Sequence, residues 1–148
     1  ESKELLQIIS ETLEIFESQF NGYKIKTTLT SDPNFMFVTS NIEELKQILV
    51  SIVANAVDAL LSSKPKEPKI DITVTKNGNM AVISIADNGG GIDATLRDRI
   101  FEPYFTTKES GVGTALYLAK LIAENRLRGF LTQENNDEGA VFNVGIRL

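Results

Sequence analysis

The chain has 148 residues, 42% of them hydrophobic, with 15 Lys and Arg against 20 Asp and Glu and a formal net charge of −5. That length suits one domain with a real core, and no apolar run of membrane length or leader pattern stands out. With no cysteine and no histidine, a disulfide framework, a thiolate metal site, the usual general base and a phospho-histidine acceptor are excluded, and the scattered basic residues speak against a nucleic-acid partner.

The chain opens on Glu1 and passes at once into a helical pattern, as expected of a piece of a longer protein. Leu5, Ile8, Ile9, Leu13, Phe16 and Phe20 recur at helical spacing, which predicts one helix over 5–20. Asn21-Gly22 is expected to end it, both residues tolerating a left-handed cap. Residues 23–30 alternate as a strand, Ser31-Asp32-Pro33-Asn34 reads as a turn, and 35–38 as a second short strand.

The longest periodic segment spans 40–61. Ser40 with Glu43, and Asn41 with Glu44, have the spacing of a capping box. Ile42, Leu45, Ile48, Leu49, Ile52, Val53, Ala56, Ala59 and Leu60 make a wide apolar face. Ser51, Asn55 and Asp58 stack in a polar stripe at i, i+4 and i+7. A solvated back face would explain the stripe. Its short side chains and the alanines around it, Ala54, Ala56 and Ala59, instead suit the close approach of another body.

After a polar loop at 62–68, residues 69–76 and 80–86 alternate as two strands joined by the hairpin signal Asn77-Gly78. The second strand, with Val82, Ile83 and Ile85 read as buried, runs into Asp87-Asn88-Gly89-Gly90-Gly91-Ile92. Taken alone, that run also fits an ordinary turn. Residues 93–100 hold one or two helical turns, 101–108 are irregular and aromatic, and Gly111-Val112-Gly113 opens a helix through Thr114, Leu116, Leu118, Leu121 and Ile122. Arg128-Gly129 turns into a strand over 130–133, residues 135–139 form a tight connection, and Phe142, Val144, Ile146 and Leu148 alternate as the last strand. Helices segregated from hairpin-linked strands predict a two-layer α/β (α+β) sandwich. No internal repeat or linker interrupts residues 1–148, so one domain is expected.

Three features call for a common ligand. A glycine loop at a helix start offers free N–H groups to phosphate. Asn55 carries a neutral oxygen suited to Mg²⁺, which shares its coordination with water and phosphate. Asp87 can accept from an exocyclic amine such as that of adenine, while Gly89 and Gly91 let a base lie on the backbone. Each motif alone is weak; their order along the chain is far more specific.

On these residues the chain resembles the catalytic, ATP-binding domain of a bacterial sensor histidine kinase, within the GHKL ATPase family of gyrase, the Hsp90 chaperones and MutL. The segment from Leu45 through Asn55-Ala56-Val57-Asp58-Ala59 is similar to that family's asparagine box. Asp87-Asn88-Gly89-Gly90-Gly91-Ile92 resembles its first glycine box, Phe101-Glu102-Pro103-Tyr104-Phe105-Thr106-Thr107-Lys108 its phenylalanine box, and Gly111-Val112-Gly113-Thr114-Ala115-Leu116 its second glycine box. The Asn-Ala-x-Asp-Ala and Phe-Thr-Thr-Lys runs look like the nitrogen-regulation subgroup.

The resemblance implies a Bergerat-type fold, a mixed and mostly antiparallel sheet covered on one face by about three helices. It implies ATP and Mg²⁺ as ligands, with Asn55 on the metal, Asp87 on adenine, and Gly89, Gly91 and Ile92 shaping the floor. Asp58 would belong to the same pocket. Thr107, Lys108, Gly111, Val112, Gly113, Thr114, Ala115 and Leu116 would line the phosphate end, and 93–113 would form a lid. A solvated loop lysine is the alternative for Lys108. Phe101, Tyr104 and Phe105 would anchor the lid by packing. Implied partners are an upstream dimerisation domain bearing the acceptor histidine and a response-regulator receiver domain, with the isolated domain monomeric and cytoplasmic, whether or not the full protein is membrane-anchored.

Two departures stand out. Ser51 and Asn55 occupy the catalytic positions, yet hydrolytic relatives place Glu at Ser51 as general base, and a serine without a neighbouring base cannot fill that role. Val112, Thr114 and Ala115 replace residues of the usual second glycine box. A degenerate regulatory module and a hydrolytic ATPase are therefore the alternatives to a kinase domain.

Overall fold

The computed structural model describes residues 2–32, 36–103 and 115–148. In chain order the elements are β1 (Lys3–Glu4), α1 (Leu5–Ile15), α2 (Glu17–Gly22), β2 (Lys26–Ser31), β3 (Phe37–Val38), α3 (Ile42–Ser63), β4 (Lys69–Asn77), β5 (Met80–Asp87), α4 (Ala94–Arg97), α5 (Ala115–Asn125), β6 (Phe130–Asn135) and β7 (Ala140–Arg147). Five strands make one sheet in the order β2-β4-β5-β7-β6, and β1 and β3 pair as a small separate ribbon. The β2–β4 pair is parallel and the others antiparallel, so the sheet is mixed and mostly antiparallel.

Period-2 alternation sends one set of each strand's side chains into the core. Ile70, Ile72 and Val74 of β4, Ala81, Ile83 and Ile85 of β5, and Phe142, Val144 and Ile146 of β7 are all buried. Val82, one register step out, lies on the other face and is only half-buried. The helix layer covers the inward side. α3 packs between α1 and α5 and reaches β5, while α5 lies along β6 and β7. By length and composition α3 could cross a membrane, but Leu45, Ile48, Leu49, Ile52, Val53, Ala56, Val57 and Leu60 are buried in the protein core. The hairpin between β4 and β5 closes over Gly78-Asn79, with Asn77 opposite Met80 and Gly78 at φ 63°.

Three local expectations change. The first helix breaks at Phe16, whose φ of −99° and ψ of 5° separate α1 from α2. Both Phe16 and Phe20 are buried, with their rings stacked 6.0 Å apart. The left-handed residue that ends α2 is Lys24, at φ 57°, and not Asn21 or Gly22. Ile25 N donates to Phe20 O at 2.8 Å and Lys24 N to Asn21 O at 3.4 Å, the hydrogen bonds of a Schellman ending. Burial of Ile25, beside buried Phe20, sets this position. Neither capping box forms at the start of α3. Asn41 is itself left-handed, caps nothing with its side chain, and donates to Arg126 O at 3.0 Å, tying the start of α3 to the end of α5.

The N-terminal elements are tied to α3 by charge. Glu11 accepts from Lys3 Nζ at 2.6 Å and Lys46 Nζ at 2.8 Å, and these ammonium groups hold its carboxyl down at about 2. At the opposite end Gly129 lies against β7. A Cβ there would stand 1.6 Å from the Gly145 carbonyl oxygen, a backbone atom that cannot swing aside. Gly129→Ala is therefore expected to lower the unfolding free energy by about 3 kcal/mol, read by urea denaturation; an unchanged midpoint would contradict this packing.

Candidate functional site

The site begins with the alternation of β5. Ala81, Ile83 and Ile85 point inward, and Asp87 takes the next inward position, where an apolar side chain would be the ordinary choice. Asp87 is only 5% exposed. Its Oδ1 accepts from Gly89 N at 2.8 Å. Burial raises its pKa, opposed by hydrogen bonds from the backbone N–H groups of Gly89 and Ala140.

Two glycines make room for this carboxylate. A Cβ on Gly139 would stand 2.2 Å from Asp87 O and 2.9 Å from its Oδ1. A Cβ on Gly89 would meet Asp87 Oδ1 at 3.0 Å and Ala59 of α3 at 3.1 Å. The first glycine box thus rests on α3 at Ala59. Asn55 precedes Ala59 by four residues, just over one turn or about 6 Å along the same face. Ser51, Asn55 and Asp58 are all half-buried. Ser51 Oγ donates back to Gln47 O at 3.2 Å. The polar stripe and the acidic glycine turn are therefore brought to one seam, between α3 and the end of β5.

The glycine run is held from several sides. Gly90 and Gly91 adopt φ of 90° and 82°, a region natural to glycine. Gly90 N donates to Glu138 O at 3.1 Å. Asn88 Oδ1 accepts from Lys69 N and its Nδ2 donates to Glu67 O, both at 2.9 Å, so it staples the 62–68 loop. Beyond Ile92, which is half-buried against the core, Asp93 caps α4 by accepting from Thr95 N at 2.9 Å. Phe101 packs edge-on against Phe142 with ring centroids 6.4 Å apart, and Lys120 Nζ sits 5.0 Å over the Phe101 ring. The expected packing role of Phe101 is seen directly.

Thr107, Lys108, Gly111, Val112, Gly113 and Thr114 lie outside the described residues, as do Tyr104 and Phe105. Ala115 opens α5, exposed, and Leu116 is half-buried against the core. Sequence reasoning missed Asn135, Gln133 and the structural use of Asn88. Only two adjacent asparagines after an alternating strand hinted at the first, and nothing in the spacing pointed to partners 43 residues away.

The donor set fits a nucleotide and a metal that comes with it. A carboxylate has about four acceptor sites, and the two backbone N–H groups on Asp87 leave capacity for an amine. Among the described residues no group of three or more His, Cys, Asp or Glu could cage a metal ion. A single carboxamide oxygen on Asn55 suits Mg²⁺, which keeps waters and takes phosphate oxygens as ligands.

A family model described as histidine kinase-, DNA gyrase B- and HSP90-like ATPase matches residues 40–148. The chain belongs to this ATPase family. It is 36% identical over 119 residues to the two-component sensor PprA of Pseudomonas aeruginosa, covering 76% of this chain and 13% of PprA. The nucleotide-free catalytic domain of histidine kinase ThkA superposes with a TM-score of 0.88 at 28% identity, covering 99% of this chain and 94% of that one. ThkA in complex with the response regulator TrrA superposes at 0.84 and 26% identity, covering 99% of this chain and 41% of that one. The mixed two-layer α/β fold is thus that of histidine kinase catalytic domains, and the chain spans a minor part of the length of its curated relatives.

A folded-state pKa above the ordinary 3.8 means that the native state holds the Asp87 proton more tightly. Its contribution to stability is then present below 3.8 and lost as pH rises through the folded value. The stability of the wild type relative to Asp87→Asn is expected to grow as pH falls through that window, measured by urea unfolding. A flat difference would contradict the burial of the carboxylate.

Proposed function

We propose that residues 1–148 form one ATP-binding catalytic domain of a sensor histidine kinase, of the nitrogen-regulation type. The observation that carries this reading is the inward Asp87 carboxylate, enclosed by Gly89 and Gly139 and set against α3. Membership of the ATPase family and the likeness to kinase catalytic domains support it.

In this reading Asp87 accepts a hydrogen bond from the adenine amine, where guanine would present a carbonyl oxygen. Gly89, Gly91 and Ile92 form the floor under the base. Asn55 gives its side-chain oxygen to Mg²⁺, and Asp58 lies one turn further along the same stripe. Bound Mg²⁺ supplies charge neutralisation across the phosphates. Thr107, Lys108 and residues 111–116 are assigned to binding the phosphates by their place in the second glycine box and the run before it. The acceptor is a histidine on an upstream dimerisation domain. Its nitrogen attacks the γ-phosphorus in line, the bond to the bridging oxygen breaks, and ADP leaves, so positioning and electrostatics supply most of the catalysis. A response-regulator receiver domain then takes the phosphoryl group, as the association of ThkA with TrrA suggests by analogy. The domain works in the cytoplasm and is monomeric when isolated.

Ser51 favours transfer over hydrolysis. Its hydroxyl is engaged with the Gln47 carbonyl and the chain has no histidine to activate it. Titration of ATP with and without Mg²⁺ tests the reading. The wild type is expected to bind saturably and more tightly with Mg²⁺. Asp87→Asn should lose about 10- to 100-fold in affinity, the worth of a hydrogen bond to a charged group, and Asn55→Ala should lose the Mg²⁺-dependent gain. No saturable binding by the wild type would leave a non-catalytic module of the same fold, and steady phosphate release abolished by Ser51→Ala would point to a hydrolytic ATPase.

A further inference from the structure

Asn135 is an exposed residue at the end of β6, yet its carboxamide makes three hydrogen bonds. Its Oδ1 accepts from Ile92 N at 3.1 Å and from Gln133 Nε2 at 2.8 Å, and its Nδ2 donates to Ile92 O at 2.8 Å. A carboxamide carries a carbonyl acceptor and N–H donors, the kinds of group that a peptide unit offers, so Asn135 adds a side-chain rung that pairs with both backbone groups of Ile92. The preceding Gly91 closes over it, and a Cβ there would stand 3.0 Å from Asn135 Cγ. Gln133 extends the contact. Its Oε1 accepts from Arg97 Nε at 2.9 Å and its backbone oxygen from Arg97 Nη2 at 3.0 Å. Among the described residues β6 pairs in the sheet with β7 alone, so these side chains fasten Ile92 and α4 to an edge strand that makes no backbone ladder with them.

We propose that Asn135 is a positioning residue for nucleotide binding, holding the Gly91-Ile92 backbone at the height that the base requires, with Gln133 and Arg97 fixing α4 behind it. This rests on the ATP reading above. Asn135 touches no reacting atom; it acts through the glycine floor. Because that floor faces the base and not the phosphates, its loss weakens ATP and ADP by the same factor. A merely structural asparagine would lower the stability of the ligand-free chain and leave the affinity of the folded fraction unchanged.

The test uses the 148-residue chain, well below its unfolding temperature, with two readouts: amide exchange of Ile92 without nucleotide, and affinity for ATP and for ADP. Asn135→Leu is expected to speed Ile92 exchange and weaken both nucleotides equally, by about tenfold for the lost pair of hydrogen bonds. Gln133→Leu keeps the Ile92 pair but loses the Oε1 contact to Arg97 and the Nε2 bond to Asn135, and should weaken both by a smaller factor. Asn135→Asp keeps an acceptor and loses the donor; its affinity relative to wild type should recover as the pH is lowered into the carboxyl range, where the protonated acid can donate to Ile92 O. If Asn135→Leu loses Ile92 protection but binds ATP as the wild type does, the positioning role is overturned and the ATP reading stands. If the wild type itself binds neither nucleotide, the ATP reading fails and this role falls with it.

Discussion

A carboxylate turned inward at the end of a strand is the constraint on which the site depends. The alternation of β5 makes position 87 a core position, and an aspartate there costs desolvation that an apolar residue would not. The structure offsets the cost locally, with backbone N–H groups of Gly89 and Ala140 directed at the side chain. It can do so only because Gly89 and Gly139 carry no Cβ. Either methyl would press on Asp87 itself, and the one at Gly89 would also strike Ala59. The turn after β5, the connection into β7 and the middle of α3 are thereby committed to one another. A pairing this costly for packing alone, in an ATPase family, is most economically explained by a ligand that uses the carboxylate.

From that point the rest of the site follows the scaffold. α3 is a long helix with its apolar face in the core, so its polar stripe emerges at the seam with the glycine run. The region after the seam is held by side chains and by the backbone bond from Gly90 to Glu138, and not by a ladder. Asn88 staples one flank, Asn135 and Gln133 the other, and Gly90 is tied to Glu138. Such fastenings leave the backbone free to take the left-handed conformations of Gly90 and Gly91, which a regular strand would not allow. They also place polar side chains far apart in sequence in control of a short stretch of main chain.

How much of this was legible in the sequence depended on whether the signal was local. The β4–β5 hairpin announced itself through alternation and Asn77-Gly78, and α3 through nine apolar positions in phase, because both patterns are set by residues within a few turns of one another. The inward turn of Asp87 could have been read from the same alternation, by counting on from Ile85. The break at Phe16 could not, since Phe16 and Phe20 keep the i, i+4 phase of a continuous helix and are both buried across it. The shift of the left-handed cap to Lys24 goes with the burial of Ile25 beside Phe20. Asn41 fits a capping box by spacing and is drawn instead to the Arg126 carbonyl, 85 residues away, a tertiary hydrogen bond that overrides the local preference. Asn135 was hidden for the same reason. In the sequence it is a turn residue, and only the fold brings Ile92 beside it.

The central claim is that Asp87 reads the adenine amine, and it is tested most directly by a cycle of two proteins and two ligands. ATP and inosine triphosphate differ at the purine 6-position, where the second lacks the amine. The wild type is expected to prefer ATP by about 10- to 100-fold, the cost of leaving a buried charged acceptor unpaired, and Asp87→Asn is expected to lose most of that preference, leaving a coupling energy between residue and amine. Equal affinity of the wild type for the two nucleotides, or a preference that survives unchanged in Asp87→Asn, would contradict the assignment.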